Sequence, residues 1–237
     1  MWNELMHVLS SLDWTPLWIS LQTGIIATII CFFLGIGFAY YVYQRKGFLA
    51  AVVDGILTLP LVLPPTVAGF LLLYIFSPRR MLGAGLEAAF GIRVVQTWLG
   101  CIVAAVVIAL PLMYRNAKAA FELVNPELLW VSKTLGLSKG TIFWRILLPV
   151  AKPGLLSGVI LTFARALGEY GATSMLAGNI PGKTGTISQR IAMVMQNGDY
   201  LDAGLWTTIV MGIAFGCIIG LNLALQRRKQ KRKRIGQ

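Results

Sequence analysis

Five long apolar runs separated by shorter polar stretches dominate this chain. They cover residues 17–43, 51–75, 94–113, 153–176 and 205–225. A helix needs about 20 apolar residues to cross a bilayer core of roughly 30 Å, and each run qualifies. The pattern predicts an all-α integral membrane protein of about five spans. The first run reads as a retained span rather than a secretory signal. It is too long for a signal core, and no Lys or Arg precedes it.

Composition agrees with the pattern. Of 237 residues, 57% are hydrophobic and 13% charged. Mean hydropathy is +0.72. The charged share is about half that of soluble domains, which disfavours a soluble enzyme, a disordered tail and a disulfide scaffold. One compact membrane domain fills the length. Cys31, Cys101 and Cys217 lie inside apolar runs and read as small buried hydrophobes. His7 is the only histidine, so neither a metal site nor a disulfide is expected.

The net charge of +12 takes its meaning from where the cations fall. Arg45 and Lys46 follow the first run. Arg115, Lys118, Lys133, Lys139, Arg145 and Lys152 lie between the third and fourth, and seven more cations crowd residues 227–234. A five-span topology puts all three groups on one side, which is then cytoplasmic. The N-terminus is expected outside and the C-terminus inside. Three parts follow: a periplasmic N-terminal segment at 1–16, a transmembrane domain at 17–225 with its long cytoplasmic stretch at 114–152, and a basic cytoplasmic tail at 226–237. Such a tail attracts anionic lipid headgroups at about 1 kcal/mol per cation, so membrane lipids rather than nucleic acid are the expected contact.

The spans are interrupted. Pro60, Pro64 and Pro65 sit inside the second, where freed backbone groups need neighbours or a water-lined cavity. Gly212, Gly216 and Gly220 form a small stripe in the fifth, suited to packing within the bundle or to a subunit interface. Two motifs mislead. Gly136, Ser138 and Gly140 fit a nucleophile pattern, but it lacks the strand-to-helix elbow and a histidine on the same side. Residues 178–184 resemble a phosphate-binding loop, but Ala177 stands where its first glycine belongs.

Residues 114–152 form the longest stretch on the cytoplasmic side. Asn125, Pro126 and Glu127 supply a cap, a first-turn proline and a first-turn acid. Leu128, Trp130, Val131 and Leu135 then give apolar surface. Gly136 ends the short helix, and Ser138 caps the next. Two readings stand: a helix lying in the headgroup layer, and a helix presented to a groove on a cytoplasmic partner.

The spacing Gly136, nine residues, Ile146, one residue, Leu148, Pro149 resembles the cytoplasmic loop signature of binding-protein-dependent ABC importer permeases. The resemblance implies that residues 114–152 are a coupling region, whose short helix docks on an ATP-binding subunit. The family signature opens with a Glu seven residues before the Gly. Leu129 holds that place here and Glu127 lies two residues earlier, so apolar docking by Trp130 and its neighbours is expected to take the larger share. Residues 59–70, with Leu-Pro-Leu-Val-Leu-Pro-Pro-Thr, resemble the second-span motif of molybdate permeases. So do residues 164–173 and 177–184. Sulfate permeases share only parts of these.

The resemblance implies the fold of a type I ABC importer transmembrane domain in the cytoplasmic membrane, working as a homodimer. It implies ATP-binding cassette subunits, which hold the ATP and magnesium, and an external molybdate-binding protein. No catalysis and no cofactor are expected in this chain. Pro64, Pro65, Thr66, Arg165, Glu169 and Thr173 are the candidates for a translocation pathway or gate. Arg165 and Glu169, one helical turn apart in the fourth span, otherwise read as a mutually satisfied packing pair, since such charges usually face protein or water. The Pro64–Thr66 break reads either as a kink or as exposed backbone that solvates an oxyanion. Asn179, Gly182 and Lys183 are candidates for an external mouth or binding-protein dock, with an ordinary loop as the alternative. A sulfate or tungstate importer of the same class, and a channel or scaffold without an ATPase, remain as rivals.

Overall fold

The computed structural model describes residues 13–45 and 47–235, with side chains as far as Gly220 and at Leu223. Most of the expected N-terminal segment, His7 and Lys46 lie outside the described residues, as do the side chains of the basic tail. The elements are α1 (Thr15–Gln44), α2 (Phe48–Val62), α3 (Pro65–Phe76), α4 (Met81–Phe90), α5 (Trp98–Glu122) and α6 (Pro126–Thr134). After them come α7 (Lys139–Leu167), α8 (Gly171–Ala177), α9 (Ile187–Gln196) and α10 (Tyr200–Ile235). Four helices are long and apolar enough to cross a membrane: α1, α5, α7 and the Tyr200–Gly220 part of α10. Taking α2 and α3 together makes five.

The centre of the bundle is built from small residues. Ala27, Cys31 and Ala39 of α1 and Ala105, Ala109 and Ala117 of α5 are all buried in one cluster. Without bulky side chains the backbones approach closely, so packing substitutes for the hydrophobic drive that lipid removes. A Cβ on Gly35 would stand 2.8 Å from Met113 Cγ. α7 closes on α5 in the same way, with Gly154 against Ala120 and Gly158 against Asn116.

One end of the bundle is defined by α6, because α5 ends and α7 begins there. Tyr40, Tyr43 and Gln44 of α1 line a cleft of about 510 Å³ with Pro126, Trp130 and Lys133. The C-terminus of α1 therefore shares this end. At the other end, Trp98 Nε1 donates to Thr23 Oγ1 at 3.0 Å. The cations around α6 and Arg45 thus gather at one end of the bundle.

The expected second span is not a single helix: the chain bends by 116° between α2 and α3. Leu63 and Pro64 both precede a proline and both are extended, with ψ of 139° and 135°. Steric conflict with the following proline ring disfavours helix at such residues; a single one is tolerated at Leu59, before Pro60, but two in succession turn a kink into a break. The fourth span also differs. Helix α7 begins at Lys139, ahead of the apolar run, and stops at Leu167, so Glu169 lies just past its end. Its early turns widen into a π turn at Phe143–Leu147. Pro149 has no N–H to offer the preceding turn, which frees a carbonyl there.

Helices α4 and α9 were not expected from the pattern. The glycine stripe meets no close neighbour among the described residues, because a Cβ on Gly212, Gly216 or Gly220 would find nothing within 4 Å. The backbone of α10 stays helical to Ile235, well past the expected end of the transmembrane domain at residue 225.

Candidate functional site

Two regions hold most of the residues singled out by sequence. The first is α6. The Asn125 side chain accepts the Glu127 N–H at 2.9 Å, and Pro126 opens the helix. At the other end Gly136 adopts φ of +75°, where a side chain would be strained. The Gly136 and Leu137 N–H groups reach back to the carbonyls of Lys133 and Ser132. Ser138 then caps the first turn of α7 by accepting the Thr141 N–H.

The helix turns Ser132 inward, where its hydroxyl donates to Leu128 O at 2.6 Å. Leu129 packs on the core beside Phe143. The rest of the helix surface holds Trp130, 64% exposed, and Leu135, 73% exposed, with Leu128 and Val131 also exposed. Glu127 is exposed at the first turn. Ile146 and Leu148 are half-buried and Pro149 is exposed, in or just after the π turn. These three residues lie within the early turns of α7, which residues 135–138 join to α6.

The second region is a pair of facing breaks. One is Leu63–Pro64 between α2 and α3. The other is Gly168–Tyr170 between α7 and α8. A Cβ on Gly171 would stand 2.9 Å from Pro65 Cβ and 3.3 Å from Thr66 N. A Cβ on Gly69 would stand 2.6 Å from Ala172 Cα. The two motifs, about 100 residues apart in sequence, are therefore in backbone contact. Pro64, Pro65 and Thr66 are exposed at this junction.

Arg165 Nη1 donates to Glu169 Oε2 at 2.6 Å. Glu169 Oε1 accepts the Ala172 N–H at 2.8 Å. The carboxylate is 2% exposed, whereas the Arg165 side chain keeps 32% of its surface. Glu169 thus ties α7 to α8 across the break, and the guanidinium is the accessible member. Thr173 is buried on α8 and offers no surface in this conformation.

Close backbone contact makes Gly69 sensitive. Gly69→Val is expected to destabilise the purified chain by at least the roughly 1–3 kcal/mol typical of overpacking, because backbone at Ala172 cannot move aside cheaply. Gly55→Val in α2, where a Cβ meets nothing within 4 Å, is the matched control. Thermal melting of the two variants in detergent checks this, and equal melting temperatures would contradict the contact.

The loop 178–186 is anchored at both ends. Thr184 Oγ1 donates to Gly178 O and accepts the Ile180 N–H. Gln189 Nε2 donates to Gly178 O at 2.9 Å. The Ile187 N–H reaches Ser20 Oγ on α1 at 2.8 Å. Asn179, Gly182 and Lys183 remain exposed on this tied frame. Among the described residues, no group of three or more His, Cys, Asp or Glu is placed to hold a metal ion. Asp54 of α2, not among the site candidates read from the sequence, accepts from Tyr114 Oη and from Lys118 Nζ. The i, i+4 spacing of Tyr114 and Lys118 was visible, but not the helix they face.

The family model described as "Binding-protein-dependent transport system inner membrane component" matches residues 10–235. The molybdenum transport system permease protein ModB of Escherichia coli (strain K12) is 36% identical over 92% of this chain and 91% of its own length. The sulfate transport system permease protein CysT of the same strain is 30% identical over 97% of this chain and 87% of its own. Among solved structures, an inward-facing form of the MetNI methionine ABC transporter aligns with a TM-score of 0.69 at 17% identity, covering 90% of this chain and 94% of that one. That likeness shows a shared fold. The chain belongs to the inner membrane components of binding-protein-dependent transport systems, the multi-pass permeases of ABC importers.

Proposed function

We propose that this chain is the membrane-spanning subunit of an ATP-driven molybdate importer that works by alternating access. The exposed apolar face of α6, with Trp130, Val131 and Leu135, carries this reading. The helix is capped, held against the core through Leu129 and Ser132 alone, and joined to α7 by a four-residue turn. A groove on an ATP-binding subunit that holds ATP and magnesium is its natural counterpart. Two copies of the chain form the conduit, and an external binding protein delivers the anion near Asn179, Gly182 and Lys183. The α6 end, with its cations, faces the cytoplasm, where anionic lipids surround it. A tag at Gln237 is therefore expected to be labelled only from the cytoplasmic side, and labelling from outside would reverse this orientation.

Molybdate is a tetrahedral dianion, and moving it uncompensated into low dielectric is very costly. The facing breaks supply what a brief passage needs. Thr66 and the backbone beside Pro64 and Pro65 are exposed, and Arg165 adds accessible positive charge held in place by Glu169. The similarity to ModB supports molybdate, and the weaker one to CysT supports sulfate as the second reading. Uptake of labelled molybdate by vesicles holding the chain, its ATP-binding partner and its binding protein separates them. Persistence of uptake under excess sulfate is expected. Equal inhibition by sulfate would favour the second reading, and inhibition by tungstate alone would leave the two metal oxyanions unseparated.

A further inference from the structure

The first arm of the broken segment is poorly held by packing. Only Ala50 and Leu57 of α2 are buried. What fixes it is polar: Asp54 Oδ1 accepts from the Tyr114 hydroxyl and, at 3.1 Å, from Lys118 Nζ. Tyr114 is fully buried in α5, while Asp54 and Lys118 keep part of their surface. Both donors sit on the last turns of α5, whose end at Glu122 leads within four residues to Pro126 of α6. In the other direction, α2 leads from Asp54 to the break at Leu63–Pro64, and α3 beyond it is clamped on α8 through Gly69 and Gly171.

We propose that Asp54 is a positioning residue for transport: its contact with Tyr114 and Lys118 carries movement of the α6 end to the facing breaks. The inference rests on the proposed function and adds a route to it. A helix with so little buried surface follows its neighbour only where something grips it. One carboxylate bound by two donors on adjacent turns makes such a grip directional. Arg115, also on α5, is the other charge near Asp54.

The test uses the complete complex in vesicles, with molybdate as the transported anion, and reads uptake per ATP hydrolysed. Asp54→Ala removes both bonds, whereas Asp54→Asn keeps an acceptor for Tyr114 and loses the ion pair. Asp54→Ala is expected to assemble and hydrolyse ATP at near the parental rate while uptake per ATP falls about tenfold or more, the scale of coupling between linked sites. Asp54→Asn is expected to fall less. The exchange Asp54→Lys with Lys118→Asp is expected to recover part of the loss. An unchanged ratio in Asp54→Ala overturns the inference. Failure of both Asp54→Ala and Asp54→Asn to assemble also overturns it, in favour of a purely structural contact. If the parental complex itself shows no ATP-driven uptake, the proposed function fails instead, so the two failures are distinguishable.

Discussion

Replacing Trp130 and Leu135 together with Asp is expected to separate this chain from its ATP-binding partner and abolish uptake. Both side chains are largely exposed, and Trp130 borders only the open cleft beside α1, so the change leaves the buried core of the fold intact. Helix α6 keeps its Asn125 cap, its inward Ser132 and its Leu129 contact. The loss falls on the interface alone. Buried aromatic and aliphatic anchors at the centre of an interface each contribute about 2 kcal/mol or more. Two of them amount to about 4 kcal/mol, or roughly a thousandfold in affinity. Co-purification of the ATP-binding subunit with a tagged chain, read beside uptake in vesicles, checks this. Unchanged assembly with unchanged transport would remove α6 from the docking role.

Arg165→Gln is expected to lower uptake by about a hundredfold while the complex still assembles. An uncompensated charge at mid-bilayer costs about 2.5–3.5 kcal/mol on insertion scales. A passing anion without the guanidinium is expected to meet a penalty of that order, and each 1.36 kcal/mol is tenfold in rate. The substitution also leaves the buried Glu169 carboxylate with only the Ala172 N–H. Breaking a fully buried pair costs about 3–5 kcal/mol, and because Arg165 is partly exposed a smaller loss of stability is expected here. The double variant Arg165→Gln, Glu169→Gln separates the two effects, because neutral amides refill the contact without a stranded charge. Its melting temperature should recover while uptake stays low. Recovery of uptake would mean that the pair only holds α7 to α8.

Local signals were readable in the sequence, and contacts between distant segments were not. The limits of α6 follow from Asn125, Pro126 and Gly136, whose effects act within one turn. The interruption at Pro64–Pro65 was equally plain, since missing N–H groups and pre-proline sterics need no partner. Its 116° angle was not, because α3 is set by Gly69 and Gly171 meeting α8. Arg165 and Glu169 were seen as a pair, but the end of α7 between them was hidden by the apolar residues that run on into α8. Helix α9 did have a signal, Thr186 followed three residues later by Gln189, and Gln189 Oε1 accepts the Thr186 N–H at 2.9 Å. Helix α4 had only a stop signal, Gly91 in the left-handed region just past Phe90, while Gly83 and Gly85 lower its propensity. Asp54 finds its donors only once α2 lies on α5.

The account divides labour between a moving conduit and a separate source of free energy. Reconstituting the purified chain in sealed vesicles, alone and with its ATP-binding and anion-binding partners, tests this most directly. Accumulation of molybdate against its gradient is expected only with all components and ATP present. Uphill accumulation by the chain alone would contradict the account.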